Sequence, residues 1–382
     1  MELRGALIGF GTIAAKAHLP AWQSLGDVAI VAAADTSAAG REAFLQARPD
    51  GRWYESVEDL LAAERLDFVD ICTPPASHAA LIQRALDARL HVLCEKPLVT
   101  RAADALAVAA AAEAAGRVVH TVHNWLEAPV CARISALVAE GAIGAVRSLR
   151  WRTLRPAAAA GVESGGENWR LDPAIAGGGI LFDHGWHALY CVMRWAGGSP
   201  RGVAASLEAR RRPASPLEDT ATLALDFARC RGDIYLTWTA DRRANEIDIW
   251  GERGRIHVDG DTVLLEGEIG ERRWRCPPAL TEGSYRPDLF APVVQNFCAA
   301  ARGSAPGNLE EAKLCMQLID LAQRSSSAGG VRLPIGAQTP DGVATPSRQA
   351  RTTSRTKKVG APTAVNTRNQ PTLPASAKAS TR

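Results

Sequence analysis

Residues 3–14 read LRGALIGFGTIA, and this stretch decides the fold of the chain. Its apolar first half predicts a strand, and its second half opens a helical pattern that runs to Leu25. Gly9, Gly11 and Ala14 form a G-x-G-x-x-A motif between the two elements. Gly9 allows a tight turn, Gly11 lets a phosphate group approach the backbone, and Ala14 lets helix and strand pack closely. The stretch therefore predicts a strand–turn–helix unit that binds a dinucleotide.

Two neighbouring features extend this prediction to the rest of the cofactor. The N–H groups of Thr12 and Ile13 lie at the start of the predicted helix, where they suit phosphate oxygens. Asp35 follows the second predicted strand, Val28–Ala34, and a carboxylate there binds ribose hydroxyls and repels a 2′-phosphate. The predicted cofactor is therefore NAD, although Arg41 leaves NADP open. The alternative is that Asp35 only caps the helix that follows it.

Strands and helices continue to alternate up to about residue 122. A strand is predicted over Asp67–Cys72, and the next one contains Val92 and Leu93 and is ended by Pro97, which cannot donate to a sheet. This alternation predicts a doubly wound, mostly parallel sheet of the α/β class. Polar residues that follow the strands should cluster at one edge of the sheet, where ligands bind. These residues are Thr73, His78, Glu95, Lys96, His123 and Asn124.

The pattern changes in the second half of the chain. Several short alternating runs between residues 202 and 258 are separated by turns with no helix between them. They predict an open, mainly antiparallel sheet, so this half is expected to be an α+β domain closed by helices over about 287–302 and 309–324. The predicted domains are residues 1–122 and 123–335. Residues 336–382, with eight Lys or Arg and one Asp, are predicted to be a disordered basic tail.

The composition narrows the class of protein. The chain has 382 residues, is 47% hydrophobic and 22% charged, and carries a net charge of only +3, so no nucleic-acid partner is expected, although the basic tail leaves one open. No apolar run has membrane-spanning length, so no membrane partner is expected. The eight cysteines have no zinc-type spacing. We expect a reduced, cytoplasmic protein that binds no metal.

A second group of residues begins at the glycine triplet Gly177–Gly179. Asp183 and His187 follow it at a spacing of four residues, so they share one face of a predicted helix. A carboxylate beside an imidazole can fix its tautomer and raise its basicity. Two alternatives are a metal site at His184 and His187, for which no third ligand is evident, and an ordinary surface pair. The glycine triplet argues against the surface pair.

Together these motifs resemble the Gfo/Idh/MocA oxidoreductases, which include glucose–fructose oxidoreductase and inositol dehydrogenase. The resemblance spans roughly residues 3–330. It implies an N-terminal Rossmann domain and a C-terminal domain whose open sheet often forms the oligomer interface, so a homo-oligomer is expected. The resemblance rests on the glycine motif of residues 9–14, on Thr73-Pro74 with His78, on Glu95-Lys96-Pro97, and on Gly177–Gly179 with Asp183 and His187.

The resemblance also implies an activity and roles for particular residues. It implies NAD(P)-linked oxidation or reduction at a hydroxyl-bearing carbon of a sugar, cyclitol or related polyol. Lys96 would bind the reacting oxygen, His187 would be the general base, and Asp183 would be the partner of His187. Arg170 with its neighbour Trp169 would lie on the substrate side. On the cofactor side, the resemblance places Thr73, Pro74, His78, Glu95, Lys96 and Asn124.

The chain departs from the family pattern at three places. Tyr190 stands where an acid often follows the histidine, His184 follows Asp183 in place of a small residue, and residues 124–127 lack the family's arginine. The preferred hypothesis is an NAD-dependent dehydrogenase of a polyhydroxylated small molecule. The alternatives are an NADPH-dependent reductase of a keto or imine group and a non-catalytic NAD-binding regulator. The sequence leaves the substrate open.

Overall fold

Two β-sheets organise the chain in a computed structural model. The structure describes residues 2–159, 168–211, 213–268, 270–280 and 285–336. Nearly all of the predicted tail, residues 337–382, lies outside the described residues, so its disorder stays a prediction.

The N-terminal half forms a six-stranded sheet in which all strands are parallel. The strand order is β3-β2-β1-β4-β5-β6, which is the order of a doubly wound dinucleotide-binding sheet. The predicted fold class of this half is confirmed. The strands are β1 (Leu3–Ile8), β2 (Val28–Ala34), β3 (Arg52–Tyr54), β4 (Phe68–Ile71), β5 (His91–Cys94) and β6 (Val119–Thr121).

Helices connect these strands on both faces of the sheet. The edge strand β3 was not predicted, because three residues are too few to show a periodicity. The Ala-rich segment after β5 forms a long helix since alanine has the highest helix propensity, and Gly116 ends it with a left-handed φ of 63°. The connecting helices are a π turn (Ala14–His18) that continues into α1 (Leu19–Gln23), then α2 (Ala38–Ala47), α3 (Val57–Ala63), α4 (His78–Asp87) and α5 (Ala102–Ala115).

The C-terminal half forms a nine-stranded sheet in the order β14-β13-β12-β11-β7-β10-β9-β8-β15. All neighbouring strands are antiparallel except β7 and β10, which are parallel. The predicted open, mainly antiparallel sheet is confirmed, while β13 and β14 extend it beyond the runs seen in the sequence. The strands are β7 (Val146–Leu154), β8 (Gly202–Glu208), β9 (Thr220–Asp226), β10 (Arg231–Thr237), β11 (Ala244–Gly251), β12 (Gly254–Asp259), β13 (Thr262–Gly267), β14 (Gly270–Arg275) and β15 (Leu333–Pro334).

The last two long helices return to the N-terminal half. The remaining helices are α6 (Pro129–Ala139), α7 (Pro173–Ala176), α8 (Trp186–Ala196), α9 (Pro287–Ala301) and α10 (Leu309–Ser327). On α9, the buried ring of Phe297 lies 5.3 Å from the ring of Phe68 on β4 and 5.9 Å from that of Trp22 on α1. Residues 1–337 consequently form one compact unit. The domain boundary at residues 122/123 stays a prediction.

Among the residues that the structure describes, no helix has both the length and the apolar character needed to cross a membrane.

Replacing Phe297 by Ala should destabilise the protein strongly. Its ring is fully buried between β4 and α1, and removal of a buried aromatic ring costs about 3–5 kcal/mol. Leu106→Ala is the matched control, because Leu106 is 63% exposed on α5. Thermal and urea unfolding followed by circular dichroism measure both variants. Equal shifts for the two would contradict the packing of α9 on the N-terminal sheet.

Candidate active site

A cavity of about 730 Å³ lies at the carboxyl ends of the parallel strands and is closed by residues of the C-terminal half. Strand-end loops meet there because all strands of this sheet run in one direction. The cavity brings together nearly all of the predicted site residues. Those that line it are Gly9, Gly11, Thr12, Ile13, Asp35, Thr73, Pro74, Glu95, Lys96, Asn124, Trp169, Arg170, Asp183 and His187.

The glycine loop after β1 is shaped for close approach. Gly9 has a φ of +84°, and a Cβ there would lie 2.7 Å from Cγ2 of Thr73, so a side chain would be both strained and crowded. A Cβ on Gly11 would meet no protein atom within 4 Å. Gly9 is therefore required by the protein itself, while Gly11 borders open space in the cavity. The first N–H groups of the following helix have no partner within it and are available to a phosphate.

Asp35 braces this loop from the end of β2. Its Oδ2 accepts a hydrogen bond from the N–H of Phe10 at 2.7 Å, and its Oδ1 accepts one from Ser37 at 2.9 Å. The helix cap is instead Ser37, whose Oγ accepts the N–H of Gly40. The alternative in which Asp35 caps α2 is therefore wrong, and its carboxylate lines the cavity beside the glycine loop.

His78 occupies a different position from the one expected. It is fully buried outside the cavity lining, with Nε2 2.8 Å from the carbonyl of Thr73 and Nδ1 3.0 Å from that of Pro97. The ring lies between the loop after β4 and the loop after β5, where the Lys96–Pro97 peptide is cis, and in its neutral form it donates to one of the two carbonyls. Burial lowers the pKa of His78. The expected cofactor contact is corrected: His78, at the start of α4, is buried against the carbonyls of Thr73 and Pro97 and does not line the cavity.

A buried network that the sequence did not reveal holds Glu95. The His18 ring lies between two carboxylates, with Nδ1 2.7 Å from Asp70 and Nε2 3.0 Å from Glu95. Burial, the largest single effect, would lower the pKa of His18, but the charges of Asp70 and Cys72 and the hydrogen bonds to them together raise the pKa well above the usual value. Burial likewise opposes ionisation of Glu95, and hydrogen bonding to His18 nevertheless lowers its pKa. The sequence contained one signal for this network, the acid Asp70 within the apolar strand β4, since a buried carboxylate requires a partner.

The same network bears on metal binding. His18, Asp70 and Cys72 are close enough for their donor atoms to share an ion. Asp70 Oδ2, however, already accepts from Trp22 Nε1 at 2.7 Å and pairs with His18, so this group is satisfied as a hydrogen-bond network. For the alternative pair, Nδ1 of His184 faces Asp183 and Nδ1 of His187 faces Tyr190, and His184 and His187 belong to no group of three potential ligands among the described residues.

Lys96 and Asp183 form the central contact of the site. Lys96 Nζ donates to Asp183 Oδ1 at 2.8 Å and to the Asp183 carbonyl at 3.1 Å. Both side chains are more than four-fifths buried. Burial would raise the pKa of Asp183, but Lys96, with His184 and Arg170, holds it well below the usual range. An ammonium has three donors, so Lys96 keeps one N–H for a ligand in the cavity.

His187 is held by aromatic residues rather than by Asp183. Its Nδ1 lies 2.7 Å from the Tyr190 hydroxyl, which also accepts the backbone N–H of Trp125 at 3.0 Å. The Trp125 indole stacks on the imidazole at 4.3 Å with an angle of 5°. The expected Asp183–His187 pair is therefore wrong, because a π turn over Leu181–Gly185 replaces the α-helical spacing on which it relied. Burial, together with the Lys96 charge, lowers the pKa of His187 well below the usual value, so the ring is neutral.

The glycine triplet fixes where this π turn starts. A Cβ on Gly179 would lie 1.9 Å from the carbonyl oxygen of Glu218, and the N–H of Ile180 donates to that same oxygen at 3.1 Å. The Leu181 N–H donates to Oε1 of Glu218 at 3.0 Å. The predicted close backbone approach is confirmed, and it brings Asp183 to the cavity.

The side of the cavity opposite the glycine loop is rich in arginine. Arg170 stacks over the ring of Trp169 at 4.3 Å, and both line the cavity as expected. The structure adds Arg155 and Arg243, which the sequence analysis did not select. Arg155 directly follows β7 and is 1% exposed. The sequence around Arg155 contains no recognisable motif. Its place in the site is visible only when the two halves of the chain close around the cavity.

Replacing Tyr190 by Phe should destabilise the protein by about 2 kcal/mol. The change leaves the Trp125 N–H and His187 Nδ1 buried without this partner, and each unsatisfied buried group costs about 1–3 kcal/mol. Tyr235→Phe is the matched control, since the Tyr235 hydroxyl contacts only the exposed Arg210 in the described structure. Urea unfolding of both variants measures the effect. A Tyr190→Phe midpoint equal to that of the control would show that the hydrogen bonds of the Tyr190 hydroxyl contribute nothing to stability.

Comparison with known proteins gives two family matches. Residues 3–123 match the model described as an oxidoreductase family with an NAD-binding Rossmann fold. Residues 131–257 match the GFO/IDH/MocA C-terminal domain. The two matches follow each other along the chain: the first spans the parallel sheet, and the second spans the mainly antiparallel sheet from β7 into β12.

Individual relatives agree with these matches. The D-apiose dehydrogenase of Paraburkholderia graminis is 31% identical over 304 residues, 78% of each chain. The D-xylose 1-dehydrogenase (NADP(+)) 2 of Haloferax volcanii is 32% identical, over 85% of this chain and 97% of that protein. An oxidoreductase from Agrobacterium radiobacter, solved in complex with NAD+, L-tartaric acid and magnesium, is 25% identical with a TM-score of 0.76, over 88% of this chain and 99% of the other. The chain therefore belongs to the Gfo/Idh/MocA family of oxidoreductases, with an NAD-binding Rossmann domain at its N-terminus.

Proposed function

We propose that this protein is an NAD-dependent dehydrogenase that oxidises a hydroxyl-bearing carbon of a sugar, cyclitol or related polyol in the cavity described above. The observation that carries the proposal is the joint presence of Lys96, Asp183 and His187 in the same cavity as the glycine loop. The glycine loop and Lys96 come from the N-terminal half, while Asp183 and His187 come from the C-terminal half, so one cavity offers both a place for a dinucleotide and polar groups for a reacting oxygen.

The residues present fit the cofactor. Open space at Gly11 and the helix N-terminus beside it suit a pyrophosphate, and Asp35 suits the ribose hydroxyls. Thr73, Pro74, Glu95 and Asn124 line the rest of the path towards Lys96. When bound, the nicotinamide supplies the acceptor for a hydride. The carboxylate of Asp35 would repel a 2′-phosphate, and this supports NAD as the preferred cofactor over NADP.

The catalytic roles follow from the contacts of each side chain. The free N–H of Lys96 is suited to bind the reacting oxygen and to stabilise negative charge on it. His187 is neutral and buried, so Nε2 can accept the hydroxyl proton when Nδ1 carries a hydrogen and donates it to Tyr190. Asp183 orients Lys96 instead of His187. In this proposal Lys96 and His187 touch the substrate, and Asp183 positions the ammonium.

The substrate class is supported by the walls of the cavity and by the relatives. Trp169 lines the cavity, and an indole ring is a flat apolar surface against which a sugar ring packs well. Arg170, stacked on Trp169, adds donors for hydroxyl oxygens. Two relatives that are 31% and 32% identical are named as dehydrogenases of the sugars apiose and xylose.

One alternative has a specific observation in its favour. The relative from Haloferax volcanii is named with NADP(+), and this keeps an NADP-linked enzyme or an NADPH-dependent reductase in view. Titration with both dinucleotides separates the two, because Asp35 should weaken the binding of NADP. A non-catalytic NAD-binding regulator has less support, since such a protein would have no need for the buried Lys96–Asp183 pair.

We also propose that the protein forms a homo-oligomer through its C-terminal sheet. We further propose that it is located in the cytoplasm, which is a reducing compartment. The face of β7 away from the core carries Arg150 and Arg152, whose guanidinium groups lie over the rings of Trp250 and Tyr235 at 5.2 and 5.8 Å. Arginine and aromatic residues are enriched in protein interfaces. All eight cysteines are free thiols, which suits a reducing compartment. Analytical ultracentrifugation checks the assembly: a monomer at micromolar concentration would contradict it.

Gly11→Ala should weaken NAD binding by about tenfold or more while leaving the unliganded protein as stable as before. A Cβ at this position meets no protein atom, so its only clash would be with a bound pyrophosphate. Gly26→Ala is the control, because a Cβ there also meets no protein atom within 4 Å and Gly26 lies in the turn between α1 and β2, away from the motif. Calorimetric titration with NAD measures the affinity, and unchanged binding in Gly11→Ala would remove the loop from the cofactor site.

Lys96→Ala should lower kcat by about 10²–10⁴-fold with little effect on the NAD dissociation constant. The substrate is first identified in a screen of sugars, cyclitols and sugar acids with NAD, in which reduction of the nicotinamide is the measured signal. Lys313→Ala is the matched control, since Lys313 pairs with Glu310 on the surface of α10. Full turnover by Lys96→Ala would overturn the catalytic assignment.

A further inference from the structure

We propose that His18 is a positioning residue for the reaction. Its ring, protonated on both nitrogens, joins Asp70 to Glu95, and Glu95 in turn holds the backbone of Lys96. This inference rests on the proposed function and deepens it, because Lys96 is the group proposed to bind the reacting oxygen. His18 is fully buried and does not line the cavity. Its effect on the site therefore passes through Glu95, whose Oε2 accepts the backbone N–H of Lys96 at 2.9 Å.

The hydrogen bonds around His18 require a hydrogen on each ring nitrogen. Nδ1 lies 2.7 Å from Oδ2 of Asp70, and Nε2 lies 3.0 Å from Oε1 of Glu95. Oδ2 of Asp70 also accepts the indole N–H of Trp22 at 2.7 Å, and Oε2 of Glu95 accepts a backbone N–H. Both carboxylates therefore act as acceptors, and an ionised carboxylate has no hydrogen to donate. A neutral imidazole has one N–H and could serve only one of them.

The charged and titratable neighbours of His18 favour this state at neutral pH. Burial acts to lower the pKa of His18, but Asp70 and Cys72 together raise it well above the usual value. The Cys72 thiol, 3.4 Å from Nδ1, keeps its proton because burial and the Asp70 charge raise its pKa to about 12. Burial would raise the pKa of Glu95, but the His18 ring and the Lys96 charge lower it, so this carboxyl is ionised.

The network joins elements that are separate in the sequence. His18 ends the π turn that begins at Ala14, the last residue of the glycine motif. Asp70 lies on β4, and Glu95 directly follows β5. From α9, the ring of Phe290 packs against His18 at 4.5 Å and adds no charge. The ring therefore links the helix of the glycine loop to the loop after β5.

Two separate contacts hold the two ends of Lys96. Asp183 holds the ammonium at 2.8 Å, while Glu95 holds the backbone N–H. Without the second N–H of His18, Glu95 would lose the partner that fixes its carboxylate, and the backbone end of Lys96 would be free to shift. A displacement of about 1 Å near a reacting centre can lower a rate about 100-fold.

The variant His18→Gln tests this role in the full-length enzyme with NAD and the substrate identified in the screen. Glutamine is neutral and cannot donate to both carboxylates in the way that the imidazolium does. We expect kcat to fall by about 10–100-fold, while KM and the NAD dissociation constant change by less than about threefold.

Trp22→Phe is the matched control. It removes another hydrogen bond to the same Asp70 oxygen at an equally buried position, but it removes none from Glu95. Its melting temperature should fall, while kcat stays within about threefold of the wild-type value. An equal loss of kcat in Trp22→Phe and His18→Gln would overturn the inference, because both changes would then act through stability alone.

Asp70→Asn gives a readout that packing alone would not move. The amide keeps the shape and an oxygen acceptor but loses the charge that helps to raise the pKa of His18, so this pKa falls. His18 holds both partners below its pKa and loses one N–H above it. The alkaline limit of kcat should therefore move to lower pH by about one unit or more relative to the wild type. An unchanged limit would overturn the inference, even if His18→Gln fails to fold.

Nuclear magnetic resonance of protein with isotope-labelled histidine tests the charge state without a substrate. Both ring nitrogens of His18 should carry a hydrogen near neutral pH, and the signal missing from Asp70→Asn at alkaline pH and from His18→Gln identifies the residue. A ring with one hydrogen would overturn the inference and leave the dehydrogenase intact. If no compound is oxidised, but the Lys96 amide signal moves in His18→Gln and not in Trp22→Phe, the positioning role stands and the proposed function fails.

Discussion

The ion pair between Lys96 and Asp183 is the contact on which the rest of the site depends. Lys96 follows β5 of the parallel sheet, while Asp183 lies in the π turn before α8 of the other half. Two largely buried charges are expensive to desolvate, and such a pair adds little to stability compared with apolar packing. Its position at the junction of both halves, with one ammonium donor facing the cavity, gives it a functional reason to exist. It joins the cofactor half to the half that closes over the substrate.

Several buried groups hold the two ends of this pair in place. Glu95, fixed by the His18–Asp70 network, accepts the backbone N–H of Lys96 at 2.9 Å, and His78 holds the carbonyl of Pro97 on the other side. Glu218 anchors the turn that carries Asp183. These groups can contribute to the site without contacting a substrate. They limit the freedom of the Lys96 loop and the Asp183 turn, and thereby keep the ammonium and carboxylate in register.

The replacement of an expected acid by Tyr190 changes the chemistry around His187. Burial raises the pKa of Tyr190 well above its usual value, so the phenol keeps its proton. A phenol between the Trp125 N–H and the imidazole orients the ring without adding a negative charge. His187 is thus neutral beside the Lys96–Asp183 pair. This departure from the family pattern therefore bears on the residue proposed as the base.

The sequence alone determined the elements whose signals are local. Residues 3–14 specified the strand, turn and helix, because the steric needs of a phosphate-binding turn admit few residues at Gly9 and Gly11. Period-two alternation and glycine breaks likewise predicted the mainly antiparallel sheet. The tertiary structure decided the partners: Lys96 for Asp183, Tyr190 for His187, Asp70 and Glu95 for His18, and the place of Arg155 in the cavity wall. These contacts join residues from separate elements of the chain or, for His187, follow a π turn that the α-helical period did not predict. Local periodicity can place a side chain on an element, but its partner depends on how distant elements pack.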